Sequence, residues 1–263
     1  MTGASPWKFL GGVLGPLLVA AAVTLTGGVP AAHAERPSNA KIIRNFDIVA
    51  FGNEYTGRRY DHVRKWVQPI RVGIQGKDYP PYFEAYVKQH IRDIWEITGH
   101  PIELYYSWSM HKQKRLAKDF DPSKVNFILF YTPTKDIPKA VAKYFDNDEA
   151  QVREMIRVST CFAKFGTKKN EIKWAISVFP AEHPRDYMRA CVVEELTQVL
   201  GLPNDSAQVA PSIFNDKSQY FELTEHDRWM LKMLYNPRIP AGMPREAAIA
   251  AGRQILSEIR PGW

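Results

Sequence analysis

The residues best suited to chemistry in this chain of 263 residues lie between Arg185 and Asp205. Arg185 to Leu200 has the spacing of a helix and carries Glu194, Glu195 and Gln198 near its end. Glu194 and Gln198 are one turn apart and share a face. Glu195 sits about 100° round the helix. Met188, Val192, Leu196 and Val199 define a separate, apolar face suited to packing under a sheet. Paired carboxylates at a suitable separation can hydrolyse glycosidic bonds. Neighbouring helical residues diverge, so Glu194 and Glu195 cannot both address one small substrate, and Glu195 with Asp205 is the better candidate catalytic pair. A hard cation such as calcium could use Glu194 and Asp205, although no dense acidic loop accompanies them. The plainest alternative is a polar face whose Glu195 and Gln198 hydrogen-bond the backbone around Asn204 and Asp205. Serine chemistry finds no support, since no G-x-S-x-G is present.

The residues beyond the helix extend the pattern. Val193 to Ser206 reads V-E-E-L-T-Q-V-L-G-L-P-N-D-S. This resembles H-E-x-x-H-x-x-G-x-x-H, the metzincin zinc motif, in which histidines a turn apart bind the metal, a glutamate acts as general base and a glycine turns the chain. In that frame Glu194, Gln198 and Asn204 stand at the ligand positions, Glu195 at the base position and Gly201 at the turn. Pro211-Ser212-Ile213-Phe214 falls where metzincins place the turn under the metal, with Ile213 or Phe214 in place of its methionine. Leu223-Thr224-Glu225-His226-Asp227, followed by Leu231 and Leu234-Tyr235, resembles the helix that closes matrix-metalloprotease-like domains.

More narrowly, the chain resembles an uncharacterised family of exported bacterial proteins. The resemblance is carried by Phe51-Gly52-Asn53-Glu54-Tyr55, Trp66 with Pro69-Ile70, the block from Cys191 to Asp205, and Pro211 to Asp216. It spans residues 43–247. It implies an α+β, zincin-like fold, with a twisted mixed sheet, two long helices and a smaller helical C-terminal part. An edge strand near Val158 to Phe165 would flank a groove running past the helix. Every zinc histidine is replaced, and carboxamide oxygens are weak, hard donors. No bound metal and no cofactor is therefore expected, and conventional zinc proteolysis is disfavoured. His62, His90, His100, His111, His183 and His226 form no ligand-spaced pair, and His226 reads as a helix-surface residue.

The elements that must position these residues follow from periodicity. Ile70 to Gln75 alternates as a strand. Pro80-Pro81 opens a helix, Tyr82 to Thr98, which Gly99 stops. Strands are predicted over Ile102 to Ser107 and Val125 to Tyr131, and a short helix over Asp136 to Phe145. Val158 to Phe165 and Lys173 to Phe179 form a hairpin around a Gly166 to Asn170 loop. Thr224 caps a helix to Tyr235, with Asp227 completing a variant capping box. Pro244 to Ile259 is a last amphipathic helix. Residues 35–45 read as a polar lead-in and 45–60 as an arm, giving an N-terminal arm over 35–60 and a zincin-like domain over 61–263.

The N-terminus has the three parts of a secretory signal peptide, residues 1–34. Lys8 is its one cation, Phe9 to Leu25 is apolar, and Ala32-His33-Ala34 offers small residues for cleavage. Gly11, Gly12, Gly15 and Pro16 argue against a retained anchor. No cysteine sits at the cut for lipidation, and no later segment is apolar enough to span a bilayer, so no transmembrane anchor is expected after cleavage. Removing Lys8 takes the formal charge from +7 to +6. No basic stripe stands out, which argues against nucleic acid. The two cysteines, Cys161 and Cys191, belong to no zinc cluster. In an oxidising compartment they most simply form one disulfide, the alternative being two buried thiols. Together these features predict a secreted or periplasmic envelope protein that binds a peptide, protein or cell-wall polymer. The second hypothesis is a hydrolase using Glu195 with Asp205, or a non-zinc metal.

Overall fold

The computed structural model describes residues 37–53, 57–76, 78–215, 217 and 220–262. The signal peptide expected over 1–34, with Glu54, Tyr55 and Asp216 of the shared stretches, lies outside them. Helix α1 (Asn39–Phe51) leads to strands β1 (Lys65–Trp66) and β2 (Ile70–Gln75). Helix α2 (Pro81–Thr98), strand β3 (Ile102–Tyr106), the short helix α3 (Trp108–Lys112) and strand β4 (Phe127–Thr132) follow. Next come α4 (Ile137–Val141), α5 (Glu149–Val158), the hairpin β5 (Phe162–Lys168) and β6 (Glu171–Pro180), then α6 (Arg185–Gln198), α7 (Glu225–Leu234) and α8 (Arg245–Ile259).

The strands form one mixed, mostly parallel sheet. Its order is β3-β2-β4-β6, all parallel, with β5 antiparallel on the other side of β6 and β1 pairing the start of β6. The period of two along the central strands splits the core. Phe127 and Leu129 of β4, with Ala175 and Phe179 of β6, join the main cluster that α2 and α6 cover. Phe130, Ile176 and Val178 face the other way, onto Ile137, Val141 and Val152 of α4 and α5. The protein is thus a mixed α+β fold built on a predominantly parallel sheet.

Helix α2 buries Phe83, Val87, Ile91, Ile94 and Ile97 along one stripe. It starts at Pro81 and ends on Gly99 in the left-handed region, φ 66°. The strongly periodic elements thus appear as expected. The N-terminal segment does not: where a lead-in and arm were expected, Ser38 caps a helix. That helix, α1, buries Ile42, Ile43, Phe46 and Val49 at helical spacing and packs against α7 and α8. The polar residues before it and the glycines after it obscured this stripe.

The hairpin also differs. Asp148 caps α5, which occupies the beginning of the expected strand, so β5 starts only at Phe162. The turn is two residues, Lys169 and Asn170, both left-handed (φ 53° and 63°). Gly166 lies inside β5, not in a loop. The Trp174 indole covers it, and a Cβ there would come 2.2 Å from the ring nitrogen.

Two long-range ties hold α6 in place. Cys161, just before β5, is disulfide-bonded to Cys191 of α6. On the other side, His90 of α2 meets Thr197 of α6, Nε2 to Oγ1, at 2.9 Å. The Thr197 hydroxyl donates its one proton to the Val193 carbonyl, so His90 Nε2–H is the donor. Burial lowers the His90 pKa to about 4. His226 is also buried, which corrects its reading as a surface residue. Burial, with Lys41, Arg260 and Arg44 nearby, lowers its pKa to about 4.

Replacing both cysteines by serine should cost about 3–4 kcal/mol of unfolding free energy, the loop-closure contribution of a bridge across about 30 residues. Urea titration of the two forms measures this, and thiol titration of the unfolded, unreduced protein should find no reactive thiol. The buried histidines set an acid limit. Their folded pKa values lie below the ordinary 6.5, so the unfolded chain takes up protons first. Stability is then complete above pH 6.5 and falls as pH drops toward 4, by at most about 3 kcal/mol per histidine. Chemical denaturation from pH 8 to 4 reads the slope, which His90→Gln should reduce.

Candidate functional site

The site foreseen from the sequence is the end of α6 and the loop after it. This end is buried, so each of its last carbonyls needs a partner. The Val199 carbonyl accepts from Trp66 Nε1 at 2.8 Å and the Leu200 carbonyl from Tyr235 Oη at 2.9 Å. Gln198's carbonyl takes the N–H groups of Gly201 and Leu202, both at 3.1 Å. Gly201 turns the chain at φ 115°, pressed so closely on the Arg64 backbone that a Cβ would lie 2.0 Å from its carbonyl oxygen. The Arg64 guanidinium in turn stacks 3.2 Å from the centre of the Tyr60 ring. Lys65 reaches the Leu234 carbonyl at the end of α7 at 2.9 Å. Burial brings its pKa down to about 8.

The foreseen polar residues are used as follows. Glu195 is 4% exposed and Gln198 6%, whereas Glu194 is partly exposed. The two glutamates therefore diverge, as adjacent helical positions must. Gln198 Nε2 donates to Asp205 Oδ1 at 3.1 Å, so a helix residue and a loop residue are brought together. Asn204 is drawn elsewhere: its Nδ2 donates to the Ile48 carbonyl near the end of α1 at 3.1 Å. That carbonyl also accepts the Gly52 N–H. A Cβ on Gly52 would sit 2.5 Å from the Asn204 side chain, so glycine is what lets the two segments touch.

The turn residues pack beneath. Ile213 and Phe214 are buried, and the Phe214 carbonyl accepts from Ser206 N–H at 3.0 Å. Asp227 organises this turn. Its Oδ1 accepts from Ser212 Oγ at 2.5 Å, and its Oδ2 from Ile213 N–H at 3.1 Å. Oδ2 also accepts from Thr224 N–H at 2.9 Å, completing the capping box of α7. Burial raises the Asp227 pKa against these hydrogen bonds.

Among the described residues, no group of three or more His, Cys, Asp or Glu side chains is placed to hold a metal ion. Nor, among them, is any helix long and apolar enough to cross a membrane. Among the described residues, a surface cavity lies between α1 and α8 and another between the start of α2 and α3. Sequence reasoning missed Trp66, Tyr235 and Ile48 as partners of the α6 end, because each comes from a distant segment. Only Asp227 carried a local signal, its spacing from Thr224.

The architecture thus defines a mixed α+β protein in which buried polar side chains anchor a loop at the end of one helix. The chain belongs to the family described as Protein of unknown function (DUF2927), whose model matches residues 39–254. Comparison with the curated proteins and with the solved structures finds no match.

Gly201→Ala should therefore fold poorly. A side chain would be strained at this φ and would strike backbone, so a loss above about 2 kcal/mol is expected, read by thermal and urea unfolding. Alanine at Gly57, also left-handed but with open space around its Cβ position, should cost less.

Proposed function

We propose that this is an exported cell-envelope protein with a metzincin-like fold that has lost its zinc ligands and works as a binding module for a peptide or wall-derived ligand. The observation that carries the reading is how the ligand-position residues are used. Gln198 holds Asp205, and Asn204 holds α1 through the Ile48 carbonyl. Amide groups committed to their own loop are structural fixtures, and amide oxygens are weak metal donors. The base-position Glu195 is buried with them, which gives an incoming substrate little access to it.

The sheet supports a groove. Among the described strands β5 pairs only with β6, which leaves its outer edge able to pair with an extended peptide. It runs antiparallel to β6 and packs beside α6, which the Cys161–Cys191 bridge ties to the residue before it. A disulfide suits an oxidising compartment, in keeping with export.

Metal analysis of the purified protein, with product profiling on peptides and peptidoglycan, tests the reading. Substoichiometric metal and no products are expected. Binding of wall-derived peptides should slow hydrogen exchange at residues 162–168. Stoichiometric metal, with turnover that Glu195→Gln abolishes, would sink the binding module in favour of a hydrolase.

A further inference from the structure

At the carboxyl ends of β2 and β3 an open surface cavity of about 560 Å³ lies between the start of α2 and α3. The carboxyl edge of parallel strands is where open α/β sheets place ligands, and the volume falls in the range of small-ligand sites. The cavity lies on a different part of the surface from the β5 edge, so its reading stands or falls separately.

Its floor is built around one carboxylate. Glu84 is 5% exposed. It accepts from Ser109 Oγ at 2.6 Å, from Tyr79 Oη at 3.1 Å and from Lys88 Nζ. Burial pushes its pKa up, but the Lys88 and Ser109 hydrogen bonds prevail and hold it below the ordinary value. Ser107 caps α3, accepting from Met110 N–H at 3.2 Å. A helix of five residues has no stability of its own. These bonds pin α3 to α2 and give the cavity a fixed wall.

The rim carries two exposed cations and one exposed carboxylate, Asp78. Lys112 and Arg115 line the cavity and are exposed. Among the described residues neither forms an ion pair. Lys88, by contrast, is neutralised by Glu84. Trp108, stacked on His111, and Tyr79 add aromatic surface to the lining, and Gln113, whose side-chain carbonyl oxygen accepts from Arg115 at 3.3 Å, adds a carboxamide. Unneutralised cations select an anion. Aromatic surface beside amide and hydroxyl groups suits a sugar ring, which offers both C–H faces and hydroxyls. A concave site admits a chain segment and excludes a flat bilayer.

We propose that this cavity is a binding site for an anionic glycan, one whose sugars carry carboxylate or phosphate groups. Lys112 and Arg115 contact the charges, and the Glu84 network holds the wall that presents them. The test is a titration of the purified protein with oligogalacturonate, with neutral dextran of equal length, and with phosphatidylglycerol vesicles. Oligogalacturonate should bind, and raising the salt concentration should weaken it. Lys112→Gln with Arg115→Gln should weaken binding at least about tenfold by removing two charge contacts. Arg253→Gln, at the cavity between α1 and α8, should leave binding unchanged. Lack of binding, equal binding of dextran, or an equal loss in Arg253→Gln would overturn the proposal, as would binding to vesicles but not to oligogalacturonate.

Discussion

The rest of the structure depends on how α6 ends inside the protein. A helix that stops at the surface leaves its last carbonyls to water. Here the C-terminus is buried, and Trp66, Tyr235 and the Gly201 turn must satisfy it. These partners come from the first strand, from the end of α7 and from the turn itself. Joining them fixes the sheet, the helix and the C-terminal part in one register. Gly201 is the tightest point, because the Arg64 backbone occupies the space where any side chain would go.

That constraint explains the polar residues around it. A loop leaving a buried helix end carries backbone and side chains that lose water, and each needs a partner. Gln198 with Asp205, Asn204 with the Ile48 carbonyl, and Asp227 with Ser212, Ile213 and Thr224 supply them. Gln198 and Asn204 stand at positions that the metzincin resemblance would give to metal ligands; here Gln198 holds Asp205 and Asn204 holds α1. The proposed loss of zinc chemistry and the order of this loop are thus two consequences of one set of side chains.

The sheet divides labour between its two ends. At one end the α6 loop is packed and tied by side-chain hydrogen bonds. At the carboxyl ends of β2 and β3 the Glu84 network leaves a cavity walled by α2 and α3. Hydrogen bonds hold the walls in both places, and at the second the exposed Lys112 and Arg115 line the rim.

Much of this was legible in the residues. The stripe of Phe83, Val87, Ile91 and Ile94 determined α2, and Pro81 and Gly99 its ends. Alternation determined Ile70 to Gln75, and Thr224 with Asp227 determined the start of α7. These signals are local, so a single sequence contains them. The divergence of Glu194 from Glu195 was likewise dictated by helical geometry. The folded structure alone decided that Glu195, Gln198 and His226 are buried, because the covering elements come from segments far away in sequence. It also decided that Asn204 would serve α1, whose apolar stripe was hidden among polar residues and glycines. The Lys169-Asn170 turn was set by pairing across β5 and β6, and Gly166 by the Trp174 ring. Periodicity specifies which face of an element is apolar; only packing specifies what lies against the other faces.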